Sequence, residues 1–217
     1  MTFDVTLTFD NGPDIDVTPG VLDTLQSQGV KATFFVLGRK LADPACHALA
    51  ERAVAEGHWI GNHTYSHKTP LGRLTEADVA ETEIGRTQAL LGRLSHPEKY
   101  FRPFGGGGAI GPHLLNAEAL EYLEAGGFTC VLWNVIPRDW EFGESWPERA
   151  MELMAAKPWS LVVVHDTAGP QMQQLDRFIG MVRVAGGRFR QDFPPECVPL
   201  RMGHAVLPME GYVARAS

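Results

Sequence analysis

Short apolar segments alternate with helix-like segments along most of this chain, and the alternation restricts the possible folds more than any single motif does. The strand-like runs lie at residues 5–9, 32–37, 58–61, 100–101, 128–133 and 161–164. Six or seven such strand–helix units in succession predict an α/β fold with a parallel sheet. If the sheet closes or nearly closes into a barrel, the active site is expected at the C-terminal ends of its strands.

Helical patterns fill the intervals between these runs. They cover residues 19–29, 41–56, 75–94, 114–125, 147–156 and 173–185. The helix over 75–94 is predicted to begin with a capping signature, Thr75-Glu76-Ala77-Asp78. Residues 192–217 contain several prolines and no clear periodicity, so we predict a tail packed on a single domain that comprises residues 1–217.

The composition fits one domain with a substantial core. The chain has 217 residues, of which 44% are hydrophobic, and a chain of this length can bury a core of its own. A net charge of −7 argues against a nucleic acid or an anionic membrane as partner. No run approaches the roughly 20 apolar residues of a membrane span. Cys46, Cys130 and Cys197 are widely spaced and suggest no disulfide framework.

The N-terminus predicts a cytoplasmic location. Its first residues contain no basic segment followed by an apolar run of signal-peptide length. A secreted or periplasmic protein whose signal had been removed would show the same N-terminus. The composition is also compatible with a homo-oligomer.

Titratable and charged side chains follow several of the predicted strands. Because the C-terminal ends of parallel strands meet at one edge of the sheet, we expect these side chains to converge. They are Asp10 after the first strand, His63 and His67 after the third, Arg102 at the fourth, Asp139 after the fifth and His165 at the end of the sixth.

His63 and His67 have the spacing of metal ligands. Two imidazoles four residues apart can share a divalent cation, and two surface or capping histidines fit the same spacing. Asp10 follows an apolar strand and is expected to be partly buried, where a carboxylate needs a partner. Arg102 can supply the opposite charge and hold Asp10 ionised. A purely structural ion pair between them is the alternative.

His165 ends an apolar strand and is a candidate general acid, since an unperturbed pKa of about 6.5 suits proton transfer. A core histidine bonded to the backbone is the alternative. Asp139 can orient His165 and raise its basicity. The run Gly105–Gly108 lacks the spacing of a phosphate-binding loop, so we interpret it as a flexible loop beside the site. Its amides can stabilise an oxyanion, and a simple turn fits equally well.

Taken in order, these segments resemble the five motifs of the polysaccharide deacetylase family, also called the NodB-homology or carbohydrate esterase family 4 fold. The similarity spans about residues 5–185, and its first two motifs are together the most specific. The matching segments are Thr8–Pro13, His63–His67, Phe101–Gly105, Trp133–Trp140 and Leu161–His165.

The resemblance implies a distorted (β/α) barrel of about seven parallel strands. It implies hydrolysis of N- or O-acetyl groups on sugars or oligosaccharides, usually with zinc or another divalent ion. By this resemblance, Asp10 is the general base and Arg102 holds it in place. His165 is the general acid, and Asp139 tunes its pKa. The metal ligands are Asn11, His63 and His67.

The chain departs from the family pattern at three places. Asn11 stands where the family has a metal-binding Asp, and Ile136 stands where an Asp is common. The third motif is shorter than Arg-Pro-Pro-Tyr-Gly, lacks its tyrosine and runs into Gly105–Gly108. An asparagine oxygen is neutral, so it should hold a cation less tightly than a carboxylate and leave more positive charge on the ion.

Three functions therefore remain open at this point. The first is a metal-dependent deacetylase of an acetylated sugar or oligosaccharide. The second is a hydrolase of a small cyclic imide, ureide or other non-peptide C–N bond, with weak or no metal dependence. The third is a non-catalytic carbohydrate-binding relative. Metal content and the effect of a chelator on activity separate them.

Overall fold

A nine-stranded sheet forms the centre of the computed structural model, which describes residues 2–215. Its strands are β1 (Phe3–Asp10), β2 (Thr33–Val36), β3 (Trp59–Asn62), β4 (Tyr100–Phe101), β5 (Thr129–Cys130), β6 (Trp159–His165), β7 (Gly187–Arg190), β8 (Leu200–Arg201) and β9 (His204–Ala205). The α-helices are α1 (Thr18–Gln28), α2 (Gly38–Leu41), α3 (Pro44–Ala55), α4 (Arg86–Leu91), α5 (Ala117–Ala125), α6 (Asp139–Phe142), α7 (Trp146–Met154) and α8 (Leu175–Val184).

The strands run in the order β6-β1-β2-β3-β4-β5-β8-β9, and β7 pairs with the first half of β1. All pairings among β1–β7 are parallel. The segment after β5 returns to β6, because Val135 donates a backbone hydrogen bond to Leu161 at 3.1 Å and accepts one from Val163 at 3.0 Å. This bridge joins the two ends of the parallel sheet. The predicted distorted (β/α) barrel of about seven parallel strands is confirmed, with β7 paired to β1 beside the main strand order.

The C-terminal segment does more than pack on the domain as a tail. Its strands β8 and β9 extend the sheet, and both pairings are antiparallel, with Leu200 opposite Cys130 of β5. Strands of two residues are too short to show a periodic pattern, which is why the sequence gives no sign of them. Met1, Ala216 and Ser217 lie outside the described residues.

Two predicted helices are wrong in detail. The helix over 41–56 is interrupted, because Asp43 caps a new helix by accepting a hydrogen bond from Ala45 N–H at 2.8 Å, with Pro44 in its first turn. The predicted start at Thr75 also fails. Asp78 has a left-handed φ of 62°, which a continuous helix cannot contain, and the π-helical turn Glu81–Gly85 precedes α4.

Strand alternation separates the core from the site. In β1, Val5, Leu7 and Phe9 join the apolar cluster formed with α1, α7 and α8. The intervening Thr8 and Asp10 point to the other side of the strand, because successive side chains alternate. The sheet therefore directs its polar residues at this end into the barrel.

Within residues 2–215, no helix has the length and apolar character needed to cross a bilayer.

Candidate active site

A cavity of about 230 Å³ lies at the C-terminal end of the parallel strands. Five of the site residues predicted from the sequence lie together in the wall of this cavity. They are Asp10, Asn11, His63, His67 and His165. Arg102 and Asp139 lie behind Asp10 and His165 as fully buried partners. The register of the sheet explains this convergence, since Asp10 and His165 are paired positions on the adjacent strands β1 and β6.

Arg102 braces Asp10 through a buried ion pair. Its Nη1 donates to Asp10 Oδ1 at 2.8 Å and to Thr8 Oγ1 at 2.7 Å. Its Nε and Nη2 donate to the carbonyls of Val131 and Leu132 at 3.1 and 3.2 Å. Every nitrogen of the guanidinium therefore has an acceptor, which a charge buried this deeply requires. The guanidinium is fixed in place, and it fixes the carboxylate.

The charges around Asp10 keep it ionised. Burial would by itself raise the pKa of Asp10, but the positive charge of Arg102 outweighs burial and holds that pKa below its ordinary value. The second carboxylate oxygen, Oδ2, is not bonded by Arg102 and lies 3.5 Å from His63 Nε2, and Asp10 lines the cavity. At neutral pH this carboxylate is an available proton acceptor.

The hydrogen bonds of His63 assign its tautomer. Its Nδ1 lies 2.8 Å from the carbonyl oxygen of Arg102, and because a carbonyl oxygen only accepts, Nδ1 carries the proton. The lone pair is then on Nε2, as in a metal-binding imidazole oriented by a backbone carbonyl. Burial lowers the pKa of His63 and lowers that of His67 to about 3. Both rings are neutral, and their centroids lie 4.9 Å apart.

Asn11 supplies an amide oxygen as a third candidate metal ligand, in addition to the imidazoles of His63 and His67. Its Oδ1 is buried and has no hydrogen-bond partner, an arrangement that is costly for a polar atom and calls for an explanation. Within residues 2–215, no three His, Cys, Asp or Glu side chains form a metal-binding group. The candidate set therefore depends on this amide oxygen. One oxygen and two imidazole nitrogens suit zinc and similar divalent ions, so the residues present fit a metal.

His165 and Asp139 form the second pair. His165 Nδ1 donates to Asp139 Oδ1 at 2.8 Å, and the backbone N–H of His165 donates to Asp139 Oδ2 at 2.9 Å. Burial alone would lower the pKa of His165, but the hydrogen bond and charge of Asp139, with Asp10 and Asp166, outweigh it and raise the pKa. The Nε2 of His165 remains free to carry a proton toward the cavity.

The glycine run beside the cavity is held by specific bonds. Trp133 Nε1 donates to the carbonyl of Gly108 at 2.9 Å, and His113 Nε2 bonds the carbonyl of Gly105 at 3.1 Å. Gly106, Gly107 and Gly108 have φ values of 57°, 102° and 92°, which L side chains rarely adopt. The run lies beside the site as expected, and the backbone conformation at Gly106, Gly107 and Gly108 requires glycine.

Several residues of the site had no assigned role in the sequence. Thr8 and Asp10 both accept a hydrogen bond from Arg102 Nη1. Because side chains alternate along a strand, the sequence could have placed Thr8 on the same face of β1 as Asp10. Asp166 is fully buried beside the turn at Gly12, where an added Cβ would lie 2.2 Å from its Oδ2. Burial raises the pKa of Asp166 to about 7. Nothing in sequence spacing indicates that contact, because it joins distant segments.

The chain is similar to known deacetylases. The family model for polysaccharide deacetylase matches residues 2–131. The chain is 35% identical over 191 residues to a peptidoglycan-N-acetylglucosamine deacetylase of Bacillus cereus, with 86% of this chain and 66% of that protein covered. It is 34% identical over 174 residues to a chitooligosaccharide deacetylase of Rhizobium leguminosarum bv. phaseoli, with 77% and 70% covered. The chain thus spans just under two thirds of the length of the Bacillus cereus protein.

A solved structure shows the same fold. The family 4 acetyl xylan esterase from Clostridium thermocellum, in complex with a cobalt ion, superposes with a TM-score of 0.70 at 26% identity, and 88% of each chain is covered. Because the family model matches more than half of the residues, and the motif residues converge in one cavity, the chain belongs to the polysaccharide deacetylase family.

Proposed function

We propose that this protein hydrolyses the N-acetyl group of an acetylated amino sugar or short oligosaccharide, releasing acetate and a free amine. The observation that carries the proposal is the pairing of an ionised, braced carboxylate with a histidine of raised pKa across one cavity. Two groups poised as base and acid are what amide hydrolysis requires. The activities for which the Bacillus and Rhizobium relatives are named support a sugar as substrate.

Asp10 acts as the general base. It accepts a proton from the attacking water, whose oxygen forms the new bond to the acetyl carbon. Arg102 holds the carboxylate at a fixed angle through the 2.8 Å bond to Oδ1, so Oδ2 is the oxygen left to receive the proton. A fixed base avoids the reorganisation that a mobile side chain would need.

His165 acts as the general acid. Its protonated Nε2 delivers a proton to the sugar nitrogen as the C–N bond breaks, and the amine leaves neutral. Asp139 stabilises the imidazolium through Nδ1 and keeps Nε2 directed to the cavity. The proton taken by Asp10 and the proton given by His165 balance the addition of water across the amide.

Asn11 Oδ1, His63 Nε2 and the ring of His67 would hold a divalent ion. When bound, such an ion polarises the carbonyl that is being attacked. We assign zinc, because two imidazoles with one oxygen are typical zinc ligands. The cobalt ion in the Clostridium thermocellum enzyme supports a divalent metal in this family.

The size of the cavity bears on the substrate. Its volume of about 230 Å³ is below the roughly 300–1,000 Å³ of typical small-molecule sites. It accommodates the reacting acetamido group and part of one ring, and further sugars would lie outside it. Trp140 is at the mouth with 44% of its surface exposed, which leaves an aromatic face for such a ring.

Acetate release from N-acetylglucosamine oligomers tests the function. We expect the purified protein to release acetate with zinc, to lose activity in a chelator, and to regain it when zinc is added. A substrate series with acetylated xylan separates N- from O-deacetylation. Turnover of a cyclic imide or ureide that survives chelation would instead support the second hypothesis, and binding without turnover would support the third.

Asn11→Asp is expected to tighten zinc binding. A carboxylate in place of the neutral amide oxygen adds a negative charge to the ligand set, and we expect Kd to fall by at least about tenfold, which corresponds to about 1.4 kcal/mol. Competition with a chromophoric chelator measures this change. Asn116→Asp is the matched control, because Asn116 caps α5 outside the cavity and aspartate keeps that cap. The variant loses the bond from Asn116 Nδ2 to the Leu74 carbonyl, so its thermal unfolding is measured beside its zinc Kd, which should equal that of wild type. An unchanged Kd in Asn11→Asp would exclude Asn11 from the ligand set.

A further inference from the structure

We propose that Glu83 is a positioning residue that fixes the segment His63–His67, here called the imidazole loop, in the conformation that lets both rings hold one divalent ion. The inference rests on the proposed function but concerns a residue that does not line the cavity.

One carboxylate oxygen of Glu83 satisfies two consecutive amides of the imidazole loop. Its Oε2 accepts from the N–H of Tyr65 at 3.0 Å and from the N–H of Ser66 at 2.9 Å. Both distances are those of well-formed N–H···O hydrogen bonds. Glu83 therefore holds the middle of the loop, between the two histidines.

The carbonyls of the same loop are held by a second segment of the chain. The N–H of Gly38 donates to the carbonyl of Thr64 at 3.0 Å, and the N–H of Arg39 donates to the carbonyl of Tyr65 at 3.2 Å. A side chain at Gly38 would meet Tyr65, since an added Cβ would lie 2.6 Å from its ring. The loop is thus held at its amides by Glu83 and at its carbonyls by the start of α2.

The π-helical turn Glu81–Gly85 supplies a second contact next to Glu83. The carbonyl of Ile84 accepts from Asn62 Nδ2 at 3.0 Å, and Asn62 Oδ1 accepts from the N–H of Thr64 at 3.0 Å. Adjacent residues of one turn therefore reach the loop, Glu83 directly and Ile84 through Asn62. Single π-helical turns are rare and occur frequently at functional sites, which agrees with this placement.

The loop needs this support because its backbone is unfavourable. Thr64 and His67 have φ values of 67° and 52°, in the left-handed region that is disfavoured for side chains with a Cβ. Without outside contacts, Thr64 and His67 would relax to more favourable backbone angles. The rings of His63 and His67, whose centroids lie 4.9 Å apart, would then separate. Residues that orient metal ligands typically contribute 10–100-fold to metal affinity.

Glu83→Ala tests the role of the carboxylate. We expect its zinc Kd to rise by about 10–100-fold, with kcat largely restored at saturating zinc. Glu83→Gln keeps one acceptor oxygen without the charge, so its Kd should lie between those of wild type and Glu83→Ala. The matched control is Glu81→Ala in the same turn, because the Glu81 carboxylate accepts from the Tyr122 hydroxyl and not from the loop. Its Kd should equal that of wild type.

Amide hydrogen exchange of the metal-free protein provides a readout that does not depend on zinc. We expect the amides of Tyr65 and Ser66 to exchange faster in Glu83→Ala than in wild type or Glu81→Ala. If wild type binds no zinc, the proposed metal fails, and the exchange rates still decide whether Glu83 holds the loop. Unchanged exchange in Glu83→Ala, or a lower melting temperature with an unchanged zinc Kd, would overturn the inference.

Discussion

Replacing Asp10 with asparagine is expected to lower kcat/KM for an N-acetylated sugar by about 10²–10⁴-fold. The amide cannot take the proton that the water must lose, whereas its oxygen can still accept the hydrogen bond from Arg102. Removing the counter-charge of a buried guanidinium also destabilises a protein, by up to about 3–5 kcal/mol. Kinetics should therefore be measured together with thermal unfolding and zinc Kd, well below the melting temperature of the variant.

Asp16→Asn is the matched control for this change. Asp16 is exposed on the segment that follows β1, so the same chemical substitution should leave kcat/KM at the wild-type value. A folded Asp10→Asn protein that binds zinc and keeps more than about a tenth of wild-type activity would show that another group is the base.

Asp139→Asn is expected to lower kcat by a comparable factor, about 10²–10⁴-fold. One Asp139 oxygen accepts from the backbone N–H of His165 and the other accepts from Nδ1. Asparagine can still accept the bond from the backbone N–H of His165 through its oxygen. Its NH₂ group then faces Nδ1 and donates to it, which favours the tautomer with the proton on Nε2. The neutral ring becomes the stable form, and the acid is lost.

The pH profile distinguishes this role from a structural one. The pKa of His165 is raised by Asp139, so the acid form is present below that pKa, and activity falls as pH rises through it. Without the charge of Asp139 the pKa is lower, and we expect the alkaline limb of the kcat profile to move to lower pH. Glu141→Gln alters an exposed carboxylate on the same helix, α6, and should leave the limb in place. An unmoved limb in Asp139→Asn would contradict the assignment of His165 as the acid.

The sequence was sufficient for the fold class and for the convergence of the side chains at the strand ends. Alternating strand and helix patterns predicted the parallel barrel, and residues at strand ends converged because parallel strands share a C-terminal edge. The spacing of His63 and His67 was visible as a local pattern. The predicted helix start at Thr75 failed because a capping signature describes only local bonds, and Asp78 adopts a left-handed backbone that the signature does not exclude.

By itself the sequence determined the barrel, the family motifs and the unusual Asn11. Only the tertiary structure decided that the Asn11 oxygen is buried without a partner, that His63 carries its proton on Nδ1, and that Glu83 holds the loop between the histidines. The physical reason is the range of the interactions. Periodicity reflects which face of an element is buried, whereas a hydrogen bond between Arg102 and His63, or between Glu83 and Tyr65, depends on where two separate segments of the chain come together.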